Sequence, residues 1–162
     1  MRGSRQFSAA LGTILVLAVC SQPLMAGETK KLSGRGTLVV IEMNELPVTG
    51  KADIKPSLIR MDGTLLTDDR DHPLNGARYQ VVDVYDGKDR DMGYKTFTAA
   101  DGSMLFGTYE VTESNHPKYK GTIKITGGTG KFKDATGQGD FVNTFIADKV
   151  GIDDVNFEYT TP

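Results

Sequence analysis

The sequence predicts an all-β fold, a closed antiparallel β-barrel of about eight strands, and three observations lead there. From Gly27 onward, short runs of alternating apolar and polar residues recur every 10–15 residues, parted by clusters of Gly, Asp, Asn and Pro. That rhythm marks a sandwich or a barrel. No amphipathic helix of three or more turns can be read in the same region. A glycine-dense run, Gly127-Gly128-Thr129-Gly130-Lys131-Phe132, joins two strand-like segments and predicts a tightly shaped hairpin turn, because glycine reaches φ > 0 without steric cost. Eight antiparallel strands close into a barrel that leaves no sheet edge; a two-sheet sandwich is the alternative.

The first 26 residues stand apart from this pattern. Arg2 and Arg5 give a short basic start, an apolar run follows from Ala9 to Val19, and Pro23-Leu24-Met25-Ala26 ends on a small residue. Such an order is that of a secretory signal peptide, so residues 1–26 are expected to direct export, to a periplasm or outside the cell. The apolar run is shorter than the roughly 20 residues of a membrane span. Leu17-Ala18-Val19-Cys20 resembles a lipoprotein box, but Val19 is bulkier than the residue normally there, and lipid anchoring at Cys20 is the less favoured reading.

Cleavage after Ala26 leaves 162 − 26 = 136 residues, one domain with no cysteine, held by packing alone. Loss of Arg2 and Arg5 takes the formal net charge from −2 to −2 − 2 = −4. Lys and Arg are interspersed with Asp and Glu, and the absence of a basic stripe argues against nucleic acid as a partner.

Residues 27–35 read as a flexible lead-in, and the barrel domain as residues 36–162. Strands are expected at about 36–46, 54–61, 77–86, 92–99, 103–112, 119–126, 138–147 and 152–160, with a polar loop at Asp68–Gly76. The clearest is Tyr119 to Thr126. Tyr119, Gly121, Ile123 and Ile125 alternate there with Lys120, Thr122, Lys124 and Thr126, the period of a half-buried strand.

Chemistry is sought first at the end of the first strand. Leu38, Val40, Glu42 and Asn44 share one face by alternation, and Thr37, Val39, Ile41, Met43 and Glu45 the other. If Leu38 and Val40 face inward, Glu42 and Asn44 follow them into an apolar chamber, where a carboxylate needs a partner or a raised pKa. If the faces are exchanged, both lie in solvent. Both faces begin apolar, so the period alone does not decide.

Other signals are bland. Asp83-Val84-Tyr85-Asp86-Gly87-Lys88-Asp89-Arg90-Asp91 is acidic but departs from calcium-loop spacing, and reads as a charged hairpin turn. His72 and His116 each precede a proline, which puts them in turns, and two histidines without cysteine make a poor zinc site. There is no Gly-x-Ser-x-Gly elbow and no phosphate loop. No metal, nucleotide or other cofactor is called for. The strand aromatics, among them Tyr79, Tyr109, Phe97 and Phe141, are read mainly as core, some of them as the lining of a ligand chamber.

The run from Gly127 through Lys131-Phe132-Lys133-Asp134-Ala135 to Phe141 resembles the late hairpin of the allene oxide cyclase and dirigent barrel superfamily. Ile41-Glu42-Met43-Asn44-Glu45 is similar to the first-strand segment of plant allene oxide cyclases, and weaker likeness surrounds Val84-Tyr85-Asp86-Gly87, so the resemblance covers about residues 40–162. It implies that Glu42 and Asn44 project into a barrel cavity, Asn44 anchoring a water on an epoxide oxygen and Glu42 promoting ring opening. The family's second asparagine and its cavity cysteine have no counterparts; Val82 stands at the first position, with Asn75 displaced into the preceding loop. Trimeric relatives imply a homo-oligomer.

The function expected from sequence is therefore an exported barrel that binds an apolar small molecule inside, as a cyclase or isomerase with Glu42 and Asn44 as catalytic residues. The alternatives are a non-catalytic carrier of a hydrophobic ligand and a structural barrel with a filled core. A fold by itself does not choose among them.

Overall fold

A computed structural model describes residues 27–162 and shows a closed barrel of eight antiparallel strands in simple up-and-down order. The strands are β1 (Glu28–Glu45), β2 (Ser57–Thr67), β3 (Ala77–Tyr85), β4 (Asp91–Thr98), β5 (Met104–Asn115), β6 (Lys118–Gly128), β7 (Thr136–Ala147) and β8 (Val150–Thr161). Pairing of β1 with β8 along Glu28–Val39 closes the sheet, so the barrel, and not the sandwich, is the outcome. The expected signal segment and Cys20 lie outside the described residues. Among the described residues no helix is long and apolar enough to cross a membrane.

The lead-in expected at 27–35 is a correction. Glu28 to Arg35 pair residue by residue with Thr161 to Asp154 of β8. The reason is in the alternation: Leu32 is buried while Lys31 and Ser33 are exposed, so β1 already runs from Glu28, eight residues before the expected start at Gly36. The other strands begin and end within a few residues of expectation, apart from the end of β2, which runs on to Thr67.

The two ends of the barrel differ. At one end the connections 68–76, 99–103 and 129–135 fold inward. Leu74, Ala99, Phe132 and Ala135 are buried there with Leu32, Leu65, Leu105, Ile125, Phe157 and Tyr159. The glycine-dense run forms a single 3-10 turn at Gly130–Phe132, and its φ of 56° at Gly130 uses the freedom that glycine has. Thr129 Oγ1 accepts from the Met104 amide, which ties this turn to β5, and Phe132 becomes the plug. His72 belongs to the same cap: it is in the β2–β3 loop, as expected, with its ring edge-on to Tyr159 at 6.0 Å.

At the other end the connections are mostly short and do not cover the opening. The upper half of the barrel is therefore a cavity, and the lower half a packed core.

Candidate active site

The cavity occupies about 1040 Å³ and opens at the end that carries the β1–β2, β3–β4, β5–β6 and β7–β8 turns. Its walls are largely apolar, with Leu38, Val40, Ile59, Met61, Val81 and Val111 among them, and with the rings of Tyr109, Phe141, Tyr119 and Phe145. This volume is in the range of sites that bury a small organic molecule.

Local register decides which polar groups reach it. On β1, Leu38 and Val40 point inward, as one of the two sequence alternatives had it. The ladder with β2 then skips a residue: Val40 faces Met61 and Glu42 faces Arg60, with Ile41 bulged out between them. A one-residue bulge reverses which face every later side chain takes. Met43 therefore lines the cavity, and Glu42 and Asn44 do not. The Glu42 side chain is 53 % exposed, 3.7 Å from Arg60, and accepts a hydrogen bond of 2.9 Å from Asn44 Nδ2. The inward direction that resemblance implied for Glu42 and Asn44 is thus corrected by the bulge.

Four other strands carry the polar groups of the interior. On β4, Asp91, Gly93, Lys95 and Phe97 share the inward face; on β8, Gly151, Asp153, Val155, Phe157 and Tyr159 do. Lys95 spans the barrel to place Nζ 2.5 Å from Asp153 Oδ2, with side chains only 2 % and 0 % exposed. The Tyr79 hydroxyl donates to the same oxygen. Three rings surround the ammonium: the Phe141 centroid lies 3.8 Å away, that of Tyr109 5.1 Å and that of Tyr79 5.5 Å. Desolvated cation–π contacts of this kind are worth up to about 2 kcal/mol. Burial pushes the Lys95 ammonium below its ordinary range, with Asp153 opposing that push. Burial, and then Asp153, pushes Tyr79 well up, so its hydroxyl keeps its proton and stays a donor.

Two small residues seat these rings. A Cβ on Gly36, which pairs with Asp153 across β1 and β8, would lie 2.6 Å from Tyr79 Cδ1. A Cβ on Gly121 would lie 2.5 Å from Phe141 Cε1. Close approach of ring to backbone is what both positions require.

Above the ion pair stands a carboxyl pair. Asp83 on β3 faces Gly93, and Asp91 sits two residues before Gly93 on β4, so the two are diagonal neighbours on the inner face. Burial and then Asp83 raise Asp91 from its usual 3.8 to about 8, so at neutral pH Asp91 holds a proton beside an acceptor. Two carboxyl groups sharing one proton is the expected response to like charge in a poorly solvated place. Burial, then Asp83 and Asp91, push the Tyr109 hydroxyl strongly up. Asn143, opposite Asp153 on β7, completes the polar belt. Asp83 Oδ1, Asp91 Oδ1, Asn143 Oδ1 and Asp153 Oδ1 are buried without a hydrogen-bond partner among the described residues.

The segment 83–91 is indeed a hairpin turn for its middle part: Asp86 Oδ1 accepts from the amides of Lys88, Asp89 and Arg90. What the bland reading missed is that its two ends turn inward. No group of three or more His, Cys, Asp or Glu among the described residues is placed to hold a metal ion.

No protein-family model matches the sequence, and no curated protein matches it either. Among solved structures the chain is similar to two pterocarpan synthase dirigent proteins. For GePTS1 the identity is 15 % and the TM-score 0.58, over 92 % of this chain and 98 % of that one. For PsPTS1 the identity is again 15 % and the TM-score 0.58, over 85 % and 97 %. The likeness is one of fold: the chain has the allene oxide cyclase-like, dirigent type of barrel.

Proposed function

We propose that this dirigent-type barrel takes a largely apolar small molecule into its open half and promotes a rearrangement there, as a cyclase or isomerase. One observation carries the reading: a 1040 Å³ chamber with apolar and aromatic walls on several strands that contains a buried carboxyl pair, one member of which keeps its proton to about pH 8. A neutral carboxylic acid in an apolar site is a general acid ready for use at neutral pH. Asp91 would give its proton to a strained or leaving oxygen of the substrate. Asp83, the acceptor beside it, would stabilise positive charge on the carbon left behind. The proton lost when the new bond closes returns to Asp91, so nothing is consumed and no oxidant is needed.

The remaining work is positioning and exclusion of water, which a closed barrel with a packed floor performs without covalent chemistry. The similar structures are described as synthases of a small molecule, which supports such a use of the fold by likeness. In this reading the ring-opening role that resemblance implied for Glu42 and the oxygen-anchoring role it implied for Asn44 pass to the Asp83–Asp91 pair. Export by the leader at residues 1–26 belongs to the same proposal. So does a homo-oligomer, which sedimentation of the protein reads.

The test uses Nile red as a neutral apolar probe of the cavity and styrene oxide as a strained-ring probe of acid catalysis. The protein should enhance Nile red fluorescence, and Ile59→Trp, which fills the chamber, should abolish that. Ring opening should be accelerated by the wild type and lost in Asp91→Asn, with Nile red binding kept; Glu42→Gln should change neither. Nile red binding that survives Ile59→Trp would sink the ligand site. Binding without any Asp91-dependent acceleration would leave the carrier.

A further inference from the structure

The charges that line the cavity do not balance. At the mouth, Lys88 pairs with Asp89 at 3.6 Å, and Lys149 adjoins Asp148 in sequence. At the floor, Lys95 pairs with Asp153. The lining holds five Asp and three Lys, with His116 in addition, and the lysine that feels Asp83 and Asp91 is Lys95, already engaged by Asp153. Asp83 is only 8 % exposed and its Oδ1 has no partner among the described residues. On β7, across the cavity, Asn143 is equally buried and has another unpartnered acceptor. A buried carboxylate oxygen without a partner is costly, and the cost is recovered when something positive and rich in donors arrives.

Two kinds of occupant supply positive charge. A metal ion needs a cluster of ligands, and no such cluster is formed among the described residues. An organic cation needs one carboxylate, a few acceptors and aromatic walls. All of these are present, with Tyr109 edge-on to Phe141 at 5.4 Å and Tyr119 edge-on to Phe145 at 5.9 Å. The faces of such rings attract cations, as Phe141 already does for Lys95.

We propose that the ligand of this cavity is an organic amine with an apolar body, whose ammonium docks on Asp83 while its body lies along the aromatic and aliphatic walls. The proposal rests on the ligand-binding reading above and names the class of compound that site takes. A neutral alcohol would satisfy the acceptors but leave the charge of Asp83 unanswered. A carboxylic acid would add to it.

The experiment is calorimetric titration of the whole protein at neutral pH with phenylbutylamine, phenylbutanol and phenylbutanoate, which share one apolar body. Hydrogen bonds to charged groups contribute roughly 1.5–3 kcal/mol, so the amine should bind about 10- to 100-fold more tightly than the alcohol, and the acid least. Asp83→Asn should bring the amine down to the affinity of the alcohol and leave the alcohol unchanged. The three-probe series on the wild type stands even where the variant fails to fold. Equal affinity for amine and alcohol would overturn the amine assignment and leave the apolar-ligand reading intact. An amine preference that survives Asp83→Asn would overturn the docking on Asp83. Absence of binding by all three probes, together with no Nile red response, would overturn the ligand site itself and this inference with it.

Discussion

Replacing Lys95 by Met tests the interior ion pair most directly. Methionine keeps much of the aliphatic stem that lies among Tyr79, Tyr109 and Phe141 and removes only the ammonium. Asp153, fully buried, then keeps the Tyr79 hydroxyl and loses the charge 2.5 Å away. Breaking a buried pair from one side costs about 3–5 kcal/mol, because the other charge is left behind. For a domain of this size each kcal/mol moves Tm by roughly 3–4 °C, so Tm should fall by about 10–20 °C. Asp153→Leu should cost a similar amount from the other side, where it leaves the Lys95 ammonium without its carboxylate. The double variant Lys95→Met/Asp153→Leu should recover most of the loss, since an apolar replacement of a whole ion pair is close to neutral. Calorimetric and urea unfolding of the four proteins complete a double-mutant cycle, and the coupling should reach at least about 3 kcal/mol, the upper part of the range for contacting residues. Single variants within about 1 kcal/mol of the wild type, or costs that simply add, would refute a charged pair sealed in the barrel.

Two further outcomes follow from the same region. Because native Asp91 holds its proton to about 8 while the unfolded chain releases it near 3.8, the native state binds more protons between those values, and stability should fall as pH rises through that window and level off above it. Asp91→Asn should flatten the slope; urea midpoints measured across the window would count against the shared proton if wild type and variant ran parallel. Gly36→Ala drives a methyl against Tyr79 Cδ1 and should cost about 1–3 kcal/mol as the ring is displaced from Asp153. An unchanged Tm in that variant would show that the ring has room to move.

Much of the barrel could be read from alternation, because the period of two survives in nearly every strand. The site was partly legible by the same signal. Asp153 stands in phase with Val155, Phe157 and Tyr159, Lys95 with Phe97, Asp83 with Tyr79 and Val81, and Asn143 with Phe141 and Phe145. A charge at the apolar phase of a strand is the mark of a buried polar group, and four neighbouring cases point to one belt. What no period can supply is which residues meet across the barrel: Lys95 and Asp153 are 58 residues apart. The direction of Glu42 failed for a different reason. A bulge at Ile41 follows from pairing with β2, between Met61 and Arg60, and leaves no trace in the local sequence of β1. The start of β1 was missed because Lys30, Lys31 and Ser33 so close together look like a tail until β8 is laid beside them.

The polar belt also separates what the fold needs from what it does not. The plugged half, with Phe132, Phe157, Tyr159 and the buried leucines, already has the packed apolar character that holds a barrel closed. Charged groups at the inward phase of β3, β4 and β8 add little to that, since well-packed apolar residues in their place would serve stability at least as well. Unpartnered oxygens on Asp83 and Asn143 would be a net cost to a barrel with nothing to bind. Local rules are broken in this way where a protein has a use for the exception. The exceptions here line the open chamber, from the Lys95–Asp153 pair at its floor to the carboxyl pair above it, which is where a bound molecule would meet them.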